Sequence, residues 1–322
     1  MSSLKVVVTD YVFPNLEPER EILSEVGAEL VAGQCKTQED AIELVRGAHA
    51  VLNTYFGPIN GPIMDAMPDC RVIVRYGIGV DTIDIPAATE RGIMVANVPD
   101  YCIDEVSNHA VAMLLSLLRK LPQADRNCRS GEWALAPLKP LSRINSLTIG
   151  IIGMGRIGQA IASKVSAFGS KIVYYDPYAT QSITSARQVE LIELLEISDA
   201  IILQAPATPE TCHIINEKAF ESMKQSPVII NCARGELIDT SALVNALKSG
   251  QVSGAGLDVV EGGNIAVNHP LFGFENVIIT PHSAWLSDGA LKSLQRLAAM
   301  EAARVLRGER PNSLLNPEAI KP

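Results

Sequence analysis

Residues 147–176 read LTIGIIGMGRIGQAIASKVSAFGSKIVYYD: an apolar β-branched run, a glycine turn, a segment of helical period and a second apolar run ending on an acid. Gly153, Gly155 and Gly158 are spaced G-x-G-x-x-G, and Asp176 closes the unit after KIVYY. Each position has a mechanical reason. Gly153 allows a tight turn, Gly155 lets backbone approach a pyrophosphate, and Gly158 lets helix pack closely on strand. Unpaired N–H groups at the helix start would hold the anion. Asp176 would accept hydrogen bonds from an adenosine ribose diol. G-x-G-x-x-G alone marks many ordinary turns; with flanking strands, helix and acid it reads as a dinucleotide-binding unit.

The same alternation extends in both directions. Upstream, Lys5–Thr9, Ala50–Asn53, Val72–Arg75 and Met94–Asn97 read as buried parallel strands, with helical spacing over Glu17–Val26, Thr37–Arg46, Ile63–Met67 and Ile85–Arg91. A long amphipathic helix, Ile103–Arg119, follows and is expected to close before Pro122. From Leu147 onward, strands are predicted at Thr148–Ile152, Lys171–Tyr175, Ala200–Gln204, Val228–Cys232, Gly254–Asp258 and Val277–Ile279. Helices at Ile157–Phe168, Glu190–Ile197, Glu217–Met223 and Thr240–Ser249 lie between them, and a last helix spans Ser287–Arg307. Strands and helices in this order make an α/β, doubly wound parallel sheet.

The 322 residues suit two domains, and 47% hydrophobic with 20% charged content suits a large core. A net charge of −9 argues against direct nucleic-acid binding. No apolar stretch is long enough for a membrane span, and the N-terminus enters a strand at once rather than a signal sequence. A cytoplasmic protein is expected. Six cysteines without CxxC spacing read as free thiols, and the five histidines form no metal-ligand pattern, so no metal is expected.

Three segments end predicted strands at the edge where open α/β sheets place ligands: residues 231–235 (NCARG), 257–261 (LDVVE) and 280–285 (TPHSAW). Arg234 could hold a carboxylate through two parallel hydrogen bonds and polarise a neighbouring carbonyl. His282 could shuttle a proton near neutral pH if a partner orients it. Beside a nicotinamide this pair suits reduction of a 2-oxo acid. Taken singly, Arg234 could merely pair with Glu236 or Asp239, and His282 could be a satisfied turn residue. His109, inside the long helix, reads as a packing or interface residue, and Cys232 as a small strand-end side chain. The Tyr76–Asp81 loop, with two glycines after a strand, is either a simple tight turn or a backbone anion site.

Across nearly the whole chain, RYGIGVDTIDI, RGIMVANVPDY, SGEW, GIIGMGRIGQA, YYDPY, NCARGELID, GLDV and TPHSAW resemble, in order, the motifs of the D-isomer-specific 2-hydroxyacid dehydrogenase family. HSAW with YYDPY and RYGIGVD looks closest to its C-terminal-binding-protein-like branch. The resemblance implies two Rossmann-like domains around a cleft, with an NAD-binding domain (residues 102–286) inserted into a discontinuous substrate-binding domain (1–101 and 287–322). It implies a homodimer whose contact includes the helix near residues 104–119, acting on a small 2-oxo or 2-hydroxy acid. By position, Arg234 would bind substrate and His282 would be the acid/base. Ile78 and Gly79 would hold the substrate carboxylate, and Trp285 would narrow the pocket toward apolar side chains. Cofactor contacts would fall on Gly153, Gly155, Arg156, Ile157, Gly158, Asp176, Thr208, Cys232, Ala233, Arg234, Asp258, His282 and Trp285. Asp176 would favour NAD over NADP, since a 2′-phosphate would meet its carboxylate. The alternative is an NAD(H)-sensing binding protein with vestigial catalysis.

One position departs from the family pattern. The Glu expected to bond the catalytic His is replaced by Gly263, and Glu261 lies two residues earlier. Either a shifted loop carries Glu261 to His282 as a third catalytic residue, or the His has no carboxylate partner. Without one, the imidazolium is less stabilised and reduction should fade at lower pH than in relatives.

Overall fold

The computed structural model describes residues 4–179 and 186–320. The chain divides into two compact units, Met1–Cys102 with Leu286–Pro322, and Ile103–Trp285.

The first unit carries β1 (Leu4–Val8), β2 (Ala28–Ala32), β3 (Ala50–Asn53), β4 (Val72–Arg75) and β5 (Met94–Ala96), with α1 (Glu17–Ser24), α2 (Gln38–Leu44), α3 (Gly61–Asp65) and α4 (Ile85–Glu90) between them. Its sheet runs β2-β1-β3-β4-β5 with every pair parallel. The helix starts are written locally: Thr37 and Asp40 form a reciprocal capping box on α2, and Asn60 and Asp84 cap α3 and α4. β2 was not expected. It is an edge strand with only Leu30 buried, so it lacks the continuous apolar run that marks a central parallel strand.

The second unit opens with α5 (Ile103–Leu118) and α6 (Leu121–Arg129). Then come β6 (Thr148–Ile152), α7 (Arg156–Ser166), β7 (Lys171–Tyr175), β8 (Arg187–Gln188), α8 (Leu191–Ile197), β9 (Ala200–Leu203), α9 (Glu217–Ser222), β10 (Val228–Asn231), α10 (Thr240–Ser249), β11 (Gly254–Leu257) and β12 (Val277–Ile279). The seven strands lie in the order β12-β11-β10-β9-β6-β7-β8, and every pair is parallel. The six predicted strands are all present. β8, two exposed residues long, gave no apolar signal. Pro122, expected as a stop, instead begins α6: a proline in the first turn loses no helical hydrogen bond, and Lys120 breaks the path with a left-handed φ of 51°.

In β9 and β10 every residue is buried, as a parallel sheet covered on both faces requires. α5 packs on β10 and β11. It comes unusually near: a Cβ on Gly256 of β11 would lie 3.0 Å from the Met113 Cβ. That approach brings the polar flank of α5 to the end of β11. Among the described residues no helix is long and apolar enough to cross a membrane.

The chain then returns to the first unit with α11 (Asp288–Leu306), capped by Ser287, whose hydroxyl accepts from the Ala290 N–H. α11 packs on α1, β3 and β4, and Asn316 accepts from the Val95 N–H at 2.7 Å while donating to Thr89 and Ile93.

Candidate active site

In the second unit the chain leaves β6 in one direction and returns to β9 on the other side, so the sheet reverses between these neighbours. Crevices at such switch points, beyond the carboxyl ends of the strands, are where open α/β sheets bind ligands. Gly153 turns there with φ +94°, and a Cβ on it would lie 2.6 Å from the Gln204 backbone. A Cβ on Gly158 would collide with the Gly153 carbonyl oxygen. Gly155 differs from both: it is exposed, and a Cβ there would meet nothing within 4 Å. It is also the N-cap of α7 and offers no side-chain cap to that helix start. Two glycines are therefore required by packing, while the third keeps a space clear in front of a helix N-terminus. A pyrophosphate fits that arrangement.

Asp176, at the end of β7, accepts from the Met154 N–H at 2.8 Å and the Tyr178 N–H at 2.9 Å. Its carboxylate thus stands against the glycine turn. Thr208 follows β9 in a turn closed by Thr211, whose hydroxyl accepts from the Thr208 N–H at 2.8 Å. Arg156 and Ile157 form the first turn of α7.

At the end of β10, buried Asn231 accepts from the Ala233 N–H at 3.0 Å and donates to the Arg234 carbonyl at 2.8 Å. This clamp sets the direction in which half-buried Arg234 leaves the sheet. Cys232 is buried; burial, and then the Asp258 charge, push its thiol well above the ordinary range. A thiol so disposed is no nucleophile.

Asp258, at the end of β11, is 1% exposed and is the knot of the site. Its Oδ1 accepts from the Thr280 hydroxyl at 2.5 Å and the Ser283 N–H at 2.8 Å, and its Oδ2 accepts from the Ala284 N–H at 3.0 Å. Its carbonyl accepts from the His282 N–H at 2.8 Å. His282 is held in the left-handed region at φ 53°, with its side chain exposed, and Trp285 follows half-buried. A non-glycine residue in that region persists only where its surroundings over-determine it. Asp258 supplies that constraint.

Glu261 corrects one expectation. Its Oε1 lies 2.6 Å from Nε2 of His213, and its Oε2 accepts from the Thr240 N–H at 3.4 Å. The carboxylate is directed to His213, not to His282. Gly262 and Gly263 turn the chain through left-handed φ values of 76° and 81°, which sends Glu261 away from a partner read from spacing alone.

In the first unit, Ile78 and Gly79 follow β4 in a loop built on backbone hydrogen bonds. The Tyr76 N–H donates to the Asn53 carbonyl at 2.7 Å, the Asn97 amide donates to the Ile78 carbonyl at 2.6 Å, and the Val98 N–H donates to the Gly77 carbonyl at 3.0 Å. Ile78 and Gly79 are both half-buried.

The structure adds His109, read as packing: its Nε2 is 3.0 Å from the Thr280 hydroxyl and 3.8 Å from Asp258 Oδ1. The signal was present, since Val106 and Met113, three before and four after, share the buried face of α5.

The family model for the D-isomer specific 2-hydroxyacid dehydrogenase NAD binding domain matches residues 111–284. The chain belongs to the D-isomer-specific 2-hydroxyacid dehydrogenase family. A glyoxylate reductase of Thermofilum pendens is 39% identical over 88% of this chain and 86% of its own length. The solved structure of the TT0316 protein from Thermus thermophilus superposes with a TM-score of 0.87 at 32% identity, covering 97% of this chain and 100% of that one. A D-lactate dehydrogenase from Aquifex aeolicus, solved with NAD and lactic acid, gives a TM-score of 0.87 at 27% identity, covering 97% and 99%. As a member of this family the chain is an oxidoreductase with an NAD-binding Rossmann unit. These relatives do not single out the C-terminal-binding-protein-like branch.

Proposed function

We propose that this protein is an NAD-dependent D-2-hydroxyacid dehydrogenase working as a reductase of small 2-oxo acids. One observation carries the reading. The backbone carbonyl of Arg234 is held by buried Asn231 and the backbone N–H of His282 by buried Asp258, and these two anchors end neighbouring strands β10 and β11 on the edge that bears the glycine turn.

Residues 153–158 with Asp176 would hold the dinucleotide, with Thr208, Cys232 and Ala233 beside it. Asp176 favours NAD, because its carboxylate would repel a 2′-phosphate. When bound, the nicotinamide supplies the hydride to C2 of the substrate. Arg234 binds the substrate carboxylate through two parallel hydrogen bonds and draws electron density from the neighbouring carbonyl. As the family resemblance implies, backbone N–H groups at Ile78 and Gly79 would hold the substrate carboxylate. His282, protonated, gives its proton to the carbonyl oxygen as it becomes a hydroxyl. Trp285 lines the substrate side-chain pocket. Residues 1–101 and 287–322 form the substrate-binding domain and 102–286 the cofactor domain.

The functional form is a homodimer in the cytoplasm. Leu121, Trp133 and Leu135 are exposed at 54%, 91% and 77% on the segment after α5, an apolar set that a second copy would cover. The six cysteines, scattered without CxxC spacing, suit a reducing compartment. Light scattering on a size-exclusion column checks the dimer.

The deciding experiment is NADH oxidation with glyoxylate, hydroxypyruvate, pyruvate, 4-methylthio-2-oxobutyrate and phenylpyruvate. Turnover with at least one is expected, falling about 100-fold in kcat/KM in Arg234→Lys, which cannot make the paired contact. Tight NADH binding with no turnover of any acid would overturn the reading in favour of an NAD(H)-sensing protein.

A further inference from the structure

We propose that His109 is a positioning residue, which fixes the segment presenting His282 through Thr280 and Asp258. The inference rests on the acid/base role of His282 proposed above.

The hydrogen-bond inventory sets its direction. A threonine hydroxyl has one proton, and that of Thr280 goes to Asp258 Oδ1 at 2.5 Å. Thr280 Oγ1 must then accept from His109, 3.0 Å away, so His109 carries its proton on Nε2. The chain of donors therefore runs from His109 to Thr280 to Asp258. The other bonds that Asp258 accepts come from the backbone N–H groups of His282, Ser283 and Ala284. Bonds in such a chain polarise one another, so strengthening its first member strengthens the grip on its last.

His109 is itself held on both sides of α5. Beneath it, Gly256 admits Met113 closely onto β11. Alongside, Lys164 of α7 donates to Asp104 Oδ1, Ser107 Oγ and Asn108 Oδ1 at 2.6, 2.7 and 2.6 Å. The helix that follows the glycine turn is thus tied to the helix that carries His109. The side-chain partners of His109 are Thr280 and Asp258, so its effect is exerted through the 280–284 segment.

The test uses full-length protein in three variants. His109→Leu removes the donor, His109→Gln keeps an N–H within reach of Thr280, and Thr280→Val removes the relay. We expect His109→Leu to lower kcat about tenfold while the Kd for NADH changes less than about threefold, since most of the proposed cofactor contacts lie on residues outside the 280–284 segment. His109→Gln recovers most of that loss, and adding His109→Leu to Thr280→Val costs nothing further. A second readout needs no turnover. The chain has two tryptophans, so in a Trp133→Phe background Trp285 alone reports on the segment. Its emission and acrylamide quenching change with His109→Leu and return with His109→Gln. An unchanged kcat and unchanged Trp285 emission in His109→Leu overturn the proposal, as does a Gln variant indistinguishable from Leu in both. Where the wild-type protein reduces none of the acids, a Trp285 response to His109→Leu keeps the link from His109 to this segment and removes the acid/base role of His282.

Discussion

Nε2 of His213 stands 2.6 Å from Oε1 of Glu261, and this pair draws the turn after β9 onto the segment that follows β11. The carboxylate found where a catalytic partner was sought therefore joins two loops. Both side chains are more than a third exposed, so the pair contributes under about 1 kcal/mol. Glu261→Gln is expected to leave the pH–rate profile of 2-oxo acid reduction in place and to lower Tm by no more than about 4 °C. A displaced profile, measured by NADH oxidation across pH 5–9, would show that Glu261 acts on the proton transfer after all.

The glycines of the turn separate packing from binding. At Gly155 an added methyl meets only open space, so Gly155→Ala should fold with an unchanged Tm yet bind NADH at least about tenfold more weakly, because the methyl occupies the approach to the helix start. At Gly158 the same methyl strikes the Gly153 carbonyl, so Gly158→Ala should lose stability together with binding. Calorimetry beside fluorescence titration reads both. Equal Tm losses in the two variants would contradict the distinction.

Asp176 turns its carboxylate to the glycine turn through the Met154 N–H. Asp176→Asn keeps that acceptor and removes the charge. The ratio of kcat/KM for NADPH to that for NADH should rise about tenfold or more, corresponding to about 1.4 kcal/mol of relieved repulsion. An unchanged ratio would mean that another group sets the preference.

Glu19 predicts the pH dependence of the first unit. Its carboxyl is fully buried and accepts from the Tyr76 hydroxyl at 2.9 Å and the Gln295 amide at 2.9 Å. Burial raises its pKa above the ordinary 4.5, so the folded state holds that proton more tightly than the unfolded chain. The resulting stabilisation is complete below about pH 4.5 and is lost as pH rises through the folded value. Glu19→Gln carries no titrating group, so its stability relative to wild type should improve from pH 4.5 to 7 in urea denaturation. A relative stability that stays flat or falls over that range would refute the assignment.

Much of this architecture was legible in the chain because its central strands are buried on both faces. AIIL and VIIN can be little else in an α/β sequence. β2 and β8 escaped because an edge strand has little to bury, and α6 because a proline reads alike as stop and as first-turn residue. At the site, Arg234, Asp258 and His282 stood out as polar residues ending apolar runs. The direction of Glu261 did not, because it depends on left-handed backbone at Gly262, Gly263 and His213. His109 was visible as a histidine on a buried face, but its partner lies on a strand far along the chain.

The division of the first unit into Met1–Cys102 and Leu286–Pro322 has a consequence for synthesis. α11 covers β3 and β4 and supplies Gln295 to Glu19, and Asn316 satisfies the edge at Val95. None of these can form until residues 288–316 have left the ribosome. The second unit is continuous, so its sheet can close while its host still lacks a helix. A pause in translation at the point where Trp285 has cleared the ribosome and α11 has not would therefore leave a finished nucleotide-binding module joined to an unfinished one, with the apolar face of β3 and β4 open to chaperones.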